Sequence, residues 1–291
     1  MKSADEVREL VRERYGAIAR EAAGCCAPAA CGCGPDMAPD GLNVIGDAYV
    51  GVSGRLEEAD LDLGCGVPTR HAALEPGETV LDLGSGAGND VFIARHEVGA
   101  AGRVIGVDMT PDMVTKARAN ARKLGYGNVE FRLGEIEHLP VETGGIDVII
   151  SNCVLNLLPD KAPAFIEMFR VLRPGGRFCV SDIVSGGTLP DAVREAAGLH
   201  VGCIAGALPE ADYLALIGAA GFEDIHIARA QAIALPDAAL SAHMSGAEIV
   251  AFRASGVELR SVTVLASKPV QPPPRKPAGA SMPAVPPDFH R

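Results

Sequence analysis

Apolar residues along the chain fall into short solid runs separated by stretches of helical spacing, a pattern that predicts strands and helices in turn. Val7, Leu10, Val11, Tyr15 and Ile18 recur on one helix face, after a Ser3 to Glu6 capping box and before Gly24 as a stop. Residues 35–60 hold Leu42, Val44, Ile45, Tyr49, Val50 and Val52 with no clean period. Pro68 opens a short predicted helix over 69–74. Residues 79–83 (TVLDL) are a strand, and Val91, Phe92 and Ile93 begin the helix after a glycine-rich turn. A second strand covers 103–108. The helix after Thr110 runs through Leu124, with Met113, Val114, Ala117 and Ala121 on one face. Strands follow at 128–133 and 146–151, the latter apolar throughout as a buried parallel strand should be. A helix at 165–172, a turn at 174–176 and a strand at 177–182 come next. Beyond them, helices are predicted over 192–199, 209–220 and within 236–254, and strands over 222–230 and 259–267. No internal repeat organises the chain, and the likeness of residues 61–66 to 81–86 is local. The alternation predicts an α/β protein with a mostly parallel sheet and helices on both faces.

Composition narrows the function. The 291 residues are 48% apolar and 22% charged, an ordinary globular balance. A net charge of −11 argues against nucleic acid or an anionic membrane as partner, because phosphate binding needs a basic footprint. No apolar run is long enough to span a membrane and no signal-type segment opens the chain, so the expectation is a cytoplasmic protein. Trp is absent and aromatics are 4%, so a substrate pocket poor in stacking surfaces is expected. Eight cysteines in a reducing compartment read as ligands or redox groups before structural disulfides.

The glycine turn carries the first chemistry. Residues 79–90 (TVLDLGSGAGND) place a strand, three alternating glycines and a helix start in succession, which directs backbone N–H groups at a ligand. Asp108 ends the second strand, where a carboxylate suits ribose hydroxyls. The G-x-G-x-G turn, with Asp82 two residues before its first glycine, resembles the first motif of class I S-adenosylmethionine-dependent methyltransferases. That resemblance implies a Rossmann-like class I fold with N- and C-terminal additions, its sheet closed by an antiparallel pair from 222–230 and 259–267. It also implies that Asp82, Gly84, Gly86 and Gly88 hold the methionine part of the cofactor and Asp108 the ribose. Glu135 and Ile136 are implied beside the adenine, and Ser85, Met109 and Asn152 as further cofactor contacts. The first helix is expected to lie across this core, with residues 35–60 as a cover.

The second chemistry is sulfur. Cys25, Cys26, Cys31 and Cys33 crowd into nine residues rich in Pro and Gly, without the paired spacing or histidines of a zinc site. They read as a mobile thiol loop, redox-active or metalloid-accepting. Cys65 stands beside the predicted helix at 69–74, whose dipole should lower its pKa. Cys153 ends the strand at 146–151, and Cys179 within a strand is most simply a core residue. His71 and His200 are given no ligand role. Residues 63–68 (LGCGVP), 150–157 (ISNCVLNL) and 200–208 (HVGCIAGAL) together resemble arsenite methyltransferases, a likeness running from about Val11 to Lys268. The resemblance implies that Cys65, Cys153 and Cys203 bind trivalent arsenic, and soft thiolate ligands suit that ion. It implies methyl transfer from S-adenosylmethionine to arsenite and methylarsenite, with thioredoxin or glutathione restoring the thiols. The expected organisation is 1–64 as N-terminal helix and cysteine-rich loop, 65–187 as cofactor-binding core, 188–267 as substrate-binding segment completing the sheet, and 268–291 as a disordered Pro-rich tail. Two other readings stay open from the sequence: a methyltransferase for a small organic acceptor such as a quinone precursor, and a non-catalytic metalloid-binding or redox-sensing protein.

Overall fold

The computed structural model describes residues 4–21, 49–61, 63–195, 203–241 and 243–270. Outside them lie the Ser3 cap, the Gly24 stop, the loop of Cys25, Cys26, Cys31 and Cys33, part of the 35–60 stretch, His200 and nearly all of the Pro-rich tail.

Among the described residues, eight strands make one sheet. They are β1 (Thr79–Leu83), β2 (Arg103–Asp108), β3 (Val129–Leu133), β4 (Ile146–Asn152), β5 (Leu172–Ser185), β6 (Leu208–Pro209), β7 (Glu223–Ile233) and β8 (Leu259–Ser267). The order is β3-β2-β1-β4-β5-β8-β7, with the short β6 paired beside β5. The pairings among β1 to β5 are parallel, and β8 runs antiparallel between β5 and β7. The antiparallel pair expected to close the sheet is therefore present.

Strand side chains alternate between two cores. Leu81, Leu83 and Ile149 point to one face, with Ala164, Phe165 and Met168 of α4 (Ala162–Val171) and Tyr213 and Ile217 of α6 (Glu210–Ala219). Val80, Val148 and Ile150 point to the other, against Val91, Phe92 and Ala94 of α2 (Asn89–Val98) and Val114 and Ala117 of α3 (Pro111–Leu124). Period-two alternation on buried strands thus covers both faces with helices. A third cluster joins Val11 of α1 (Ala4–Glu21) to Ile249 and Phe252 of α8 (Gly246–Ala254), and Cys65, Cys153 and Cys203 lie within it. The remaining helices among the described residues are α5 (Asp191–Glu195) and α7 (Asp237–Ser241). Among the described residues no helix is long and apolar enough to cross a membrane.

Two local expectations need correction. The helix expected over 69–74 is one 3₁₀ turn, Pro68–Arg70. Ala73 then takes a left-handed φ of 46°, which ends any helix. The turn expected at 174–176 lies inside β5 as an outward bulge between the pairs Ile146–Leu172 and Val148–Arg177. The ladder continues past it because Gly175 N donates to Lys268 O (2.9 Å) and Lys268 N to Gly176 O (2.8 Å).

Candidate functional site

The carboxyl ends of β1, β2 and β4 lie level, with Leu83 opposite both Val107 and Ser151. The glycine turn leaves β1 at this edge. Gly84 and Ser85 N–H groups donate to Val107 O (2.8 and 3.0 Å), and Gly86 N donates to Asp108 Oδ2 (2.9 Å). Gly84 has a φ of +67°, and a Cβ there would stand 2.4 Å from Val154 Cγ2, so only glycine fits. Asp108 also accepts from Thr110 N (2.8 Å), which ties β2 to the start of α3.

A cavity opens over this turn. Asp82, Gly84, Ser85, Gly86, Asp108, Met109, Glu135, Ile136 and Asn152 line it, so nine of the ten residues expected to bind cofactor share one wall. Gly88 does not line it. Its φ of 100° makes it the left-handed N-cap of α2, where a Cβ would meet Phe92 and Phe131. Helix α1 crosses the cavity as expected, contributing Arg8, Val11 and Tyr15. Arg8 donates to buried Glu137 (3.1 Å) and Arg12 pairs with Glu135 (3.7 Å), holding the helix to the loop after β3.

Among the polar lining residues that sequence reasoning missed are Tyr49 and Asp90. Tyr49 Oη donates to Asp90 Oδ2 (2.5 Å), and Asn152 Nδ2 donates to Tyr49 Oη (2.6 Å). Tyr49 lies in the stretch without a period, so nothing local marked it. Asp90 follows the glycine turn at the first turn of α2, where an acid aimed at the same ligand could have been inferred. Among the described residues, Asp90 Oδ1, Ser85 Oγ and both amide atoms of Asn89 are buried without a hydrogen-bond partner. Such groups are costly unless a polar ligand meets them. Burial and the Asp90 and Asp108 charges push the Asp82 carboxyl well above its ordinary range. Burial likewise raises Asp108, and it raises Asp90 to about 6. Three crowded, desolvated carboxylates are the complement of a cationic ligand.

The raised Asp90 gives a pH prediction. Between the ordinary aspartate value and about 6, the unfolded chain is ionised at this residue while the folded chain keeps its proton. The folded state binds more protons, so this contribution to stability is full at low pH and is lost as pH rises through 6. Asp90→Asn should flatten the fall in melting temperature of the unliganded chain between pH 4 and 6, measured by calorimetry. An unchanged slope would remove the assignment.

Behind this cavity the thiols meet. Cys65, Cys153 and Cys203 are 1%, 6% and 2% exposed, and Cys153 is the one that lines the cavity. Cys153 has a φ of 59° and Cys203 of 62°, left-handed backbone that is uncommon outside glycine. Cys203 Sγ donates to Cys153 O (2.7 Å), Cys153 N donates to Ser181 O (2.8 Å), and Ser261 Oγ donates to Cys65 O. Asn152 joins the two regions. Its Oδ1 accepts from Cys65 N (3.0 Å) and Gly66 N (3.2 Å), and its Nδ2 donates to Gly66 O (2.7 Å).

Asp182, missed from the sequence, completes this cluster. One ligand atom each from Cys65, Cys153 and Asp182 lie within 4.8 Å of one another. Its position at the carboxyl end of β5, the edge where such sheets bind ligands, was the available signal. Burial raises Asp182 to about 7 despite the nearby Lys161 charge.

The expected lowering of the Cys65 pKa is overturned. One 3₁₀ turn supplies little dipole, and burial instead pushes the thiol up. Cys153 is pushed well up by its thiol neighbours Cys203 and Cys65, and by burial. Cys179 is a core residue as expected, its Sγ donating to Pro68 O (3.2 Å), and burial pushes it up to about 12.

Residues 74–229, more than half of the chain, match the family described as a methyltransferase domain, the class that this sheet and glycine turn define. An arsenite methyltransferase of Halobacterium salinarum is 48% identical over 77% of this chain and 59% of that protein. Another, from Aquipseudomonas alcaligenes, is 39% identical over 67% of this chain and 59% of that protein. The crystal structure of an arsenic(III) S-adenosylmethionine methyltransferase from Chlamydomonas reinhardtii superposes with a TM-score of 0.61 at 37% identity, covering 77% of this chain and 71% of that one. The chain belongs to the arsenite methyltransferase family of the class I methyltransferases. It spans 59% of the length of the two curated relatives.

Proposed function

We propose that the chain transfers methyl groups from S-adenosylmethionine to trivalent arsenic held by Cys65, Cys153 and Cys203. The observation that carries this reading is the convergence of three thiols, far apart in sequence, on the rear of the cavity over the glycine turn. Two of the three sit on strained backbone, which a core cysteine does not require.

The cavity suits the methyl donor in its chemistry. Asp82 and Asp90 complement its ammonium and sulfonium charges, the unpartnered Ser85 and Asn89 groups offer hydrogen bonds, and Val107, Met109, Met113 and Ile136 give an apolar seat for adenine. When bound, the cofactor supplies an activated methyl group on a sulfonium sulfur. Asp108 keeps the ribose role, Glu135 and Ile136 border the adenine, and Asn152 holds the Cys65 backbone against the donor cavity. Residues 65–187 serve as the donor-binding core, while 188–267 bring in the third thiol.

Three thiolates leave the arsenic lone pair free, so no general base is needed to generate the nucleophile. The protein's part is position and orientation. Each methyl cation gained oxidises arsenic by two electrons. Two thiolates leaving as a disulfide return it to the trivalent state, and a dithiol or thiol donor, thioredoxin or glutathione, reduces that disulfide. Cys25, Cys26, Cys31 and Cys33 are proposed as accessory redox thiols.

The test is incubation with arsenite, S-adenosylmethionine and thiol, with products speciated by chromatography and mass spectrometry. Methylated arsenicals are expected; methyl transfer only to an organic acceptor would overturn the reading. On the donor side, Asp108→Ala should weaken S-adenosylhomocysteine binding by about 2 kcal/mol, roughly thirtyfold, through lost charge-assisted hydrogen bonds. Calorimetry showing equal affinity would displace the cofactor from this strand end.

A further inference from the structure

The carboxylate beside the thiols is not used by an arsenical, which prefers three soft sulfur ligands in a pyramid. It is the ligand that a divalent cation of zinc or cadmium type would add. We infer that Cys65, Cys153 and Asp182 form a binding site for a thiophilic divalent cation.

The donor set and spacing carry this. Two sulfurs and one oxygen are preset within 4.8 Å of one another, all on buried residues. In a tetrahedral zinc site with bonds of about 2.3 Å, neighbouring sulfurs stand about 3.8 Å apart, so closing the site needs movements of about 1 Å or less. The carboxylate is already held for ligation. Ile183 N donates to Asp182 Oδ1 (3.0 Å) and Tyr213 Oη to Oδ2 (3.3 Å), the outer hydrogen bonding that fixes a metal ligand.

Charge agrees. Two thiolates and a carboxylate carry three negative charges, and a divalent cation neutralises two. The buried Lys161, whose charge acts on Asp182 and whose Nζ donates to Gly206 O (2.8 Å), offsets the third. The two thiol protons, and any proton on the Asp182 carboxyl, leave to solvent as the cation enters. Cys203 stands outside this group of three, bonded through its thiol to the Cys153 carbonyl. The cation site therefore does not rest on the arsenical reading. Where both hold, they share Cys65 and Cys153, and the cation excludes the arsenical.

The test is titration of the full chain with Cd²⁺, without arsenic, in a background where Cys25, Cys26, Cys31 and Cys33 are serine. One ion per chain should bind, with a thiolate-to-cadmium charge-transfer band and a cadmium NMR shift of mixed sulfur and oxygen ligation. Asp182→Asn should lower the affinity at least about tenfold, and Cys203→Ser less than about threefold. No saturable single site, a shift of three or four sulfurs, or equal affinity in Asp182→Asn would overturn the proposal. So would a loss in Cys203→Ser as large as that in Asp182→Asn. Should Asp182→Asn fail to fold, the NMR shift of the chain with Asp182 intact decides alone. Failure of the arsenical reading would show separately, as arsenite binding and turnover unaffected by Cys203→Ser while the Cd²⁺ result stands.

Discussion

Cys153→Ser is expected to abolish methylation of both arsenite and methylarsenite. Arsenite offers three exchangeable positions and methylarsenite two, so the proposed site needs all three thiols for the first and only two for the second. Cys153 is the central thiol: it lines the donor cavity, stands within the Cys65 group, and shares a hydrogen bond with Cys203. A serine hydroxyl is a hard, poorly acidic ligand for arsenic. Initial rates at saturating donor should fall below about 1% of the unsubstituted value, a loss of more than about 2.7 kcal/mol in the transition state. Cys203→Ser should behave alike. Cys65→Ser, assigned as the third ligand, should lose arsenite methylation yet keep much of the methylarsenite rate. Full activity of Cys153→Ser on either substrate would sink the three-thiolate site and bring the organic-acceptor reading forward.

Gly206→Ala should damage the thiol site while sparing the donor cavity. A Cβ at this position would lie 1.9 Å from the carbonyl oxygen of Asn156, a contact that no side-chain rotation can relieve. Asn156 belongs to the 3₁₀ turn Leu155–Leu157 and is fully buried, and its Nδ2 donates to Ile183 O (2.7 Å). The alanine must therefore push the turn of residues 203–207 outward, closed as it is by Ala207 N donating to Ile204 O (3.0 Å). That moves Cys203 away from Cys153 and loosens the bond of Lys161 to Gly206 O. Overpacking costs about 1–3 kcal/mol, and backbone as the obstacle places this half-buried position at the upper end. Denaturant unfolding should show that loss, and arsenite affinity should drop at least about tenfold. S-adenosylhomocysteine affinity should hold within about twofold, since the 203–207 turn does not line the donor cavity. Unchanged unfolding midpoints would mean that the turn relaxes freely and that its fit to Asn156 is unimportant.

Periodicity and turn chemistry are local properties, and what they determine was legible from the chain alone. The strands at 79–83, 103–108 and 259–267, the helix from Thr110 to Leu124, and the glycine turn with its acids follow from apolar spacing and from residues that only one backbone conformation accommodates. Hence nine of ten expected donor contacts fall on one wall: they come from segments next to each other in the sheet, where strand order alone brings them together. The grouping of Cys65, Cys153 and Cys203 was accessible only through family resemblance. The roles of Tyr49, Asp90 and Asp182 and the ionisation of Cys65 were decided by the tertiary structure. Tyr49 lies 41 residues from Asp90 and 103 from Asn152, and nothing in its neighbours signals either partner. The sequence suggested a lowered Cys65 pKa from a helix start, but desolvation depends on what the rest of the chain packs around the sulfur, and that packing pushes the thiol up. Asp182 reads locally as the polar end of a strand. It becomes part of a thiol cluster only because β4 and β5 pair in a register that sets Asn152 opposite Ser181, which carries Cys153 to its side.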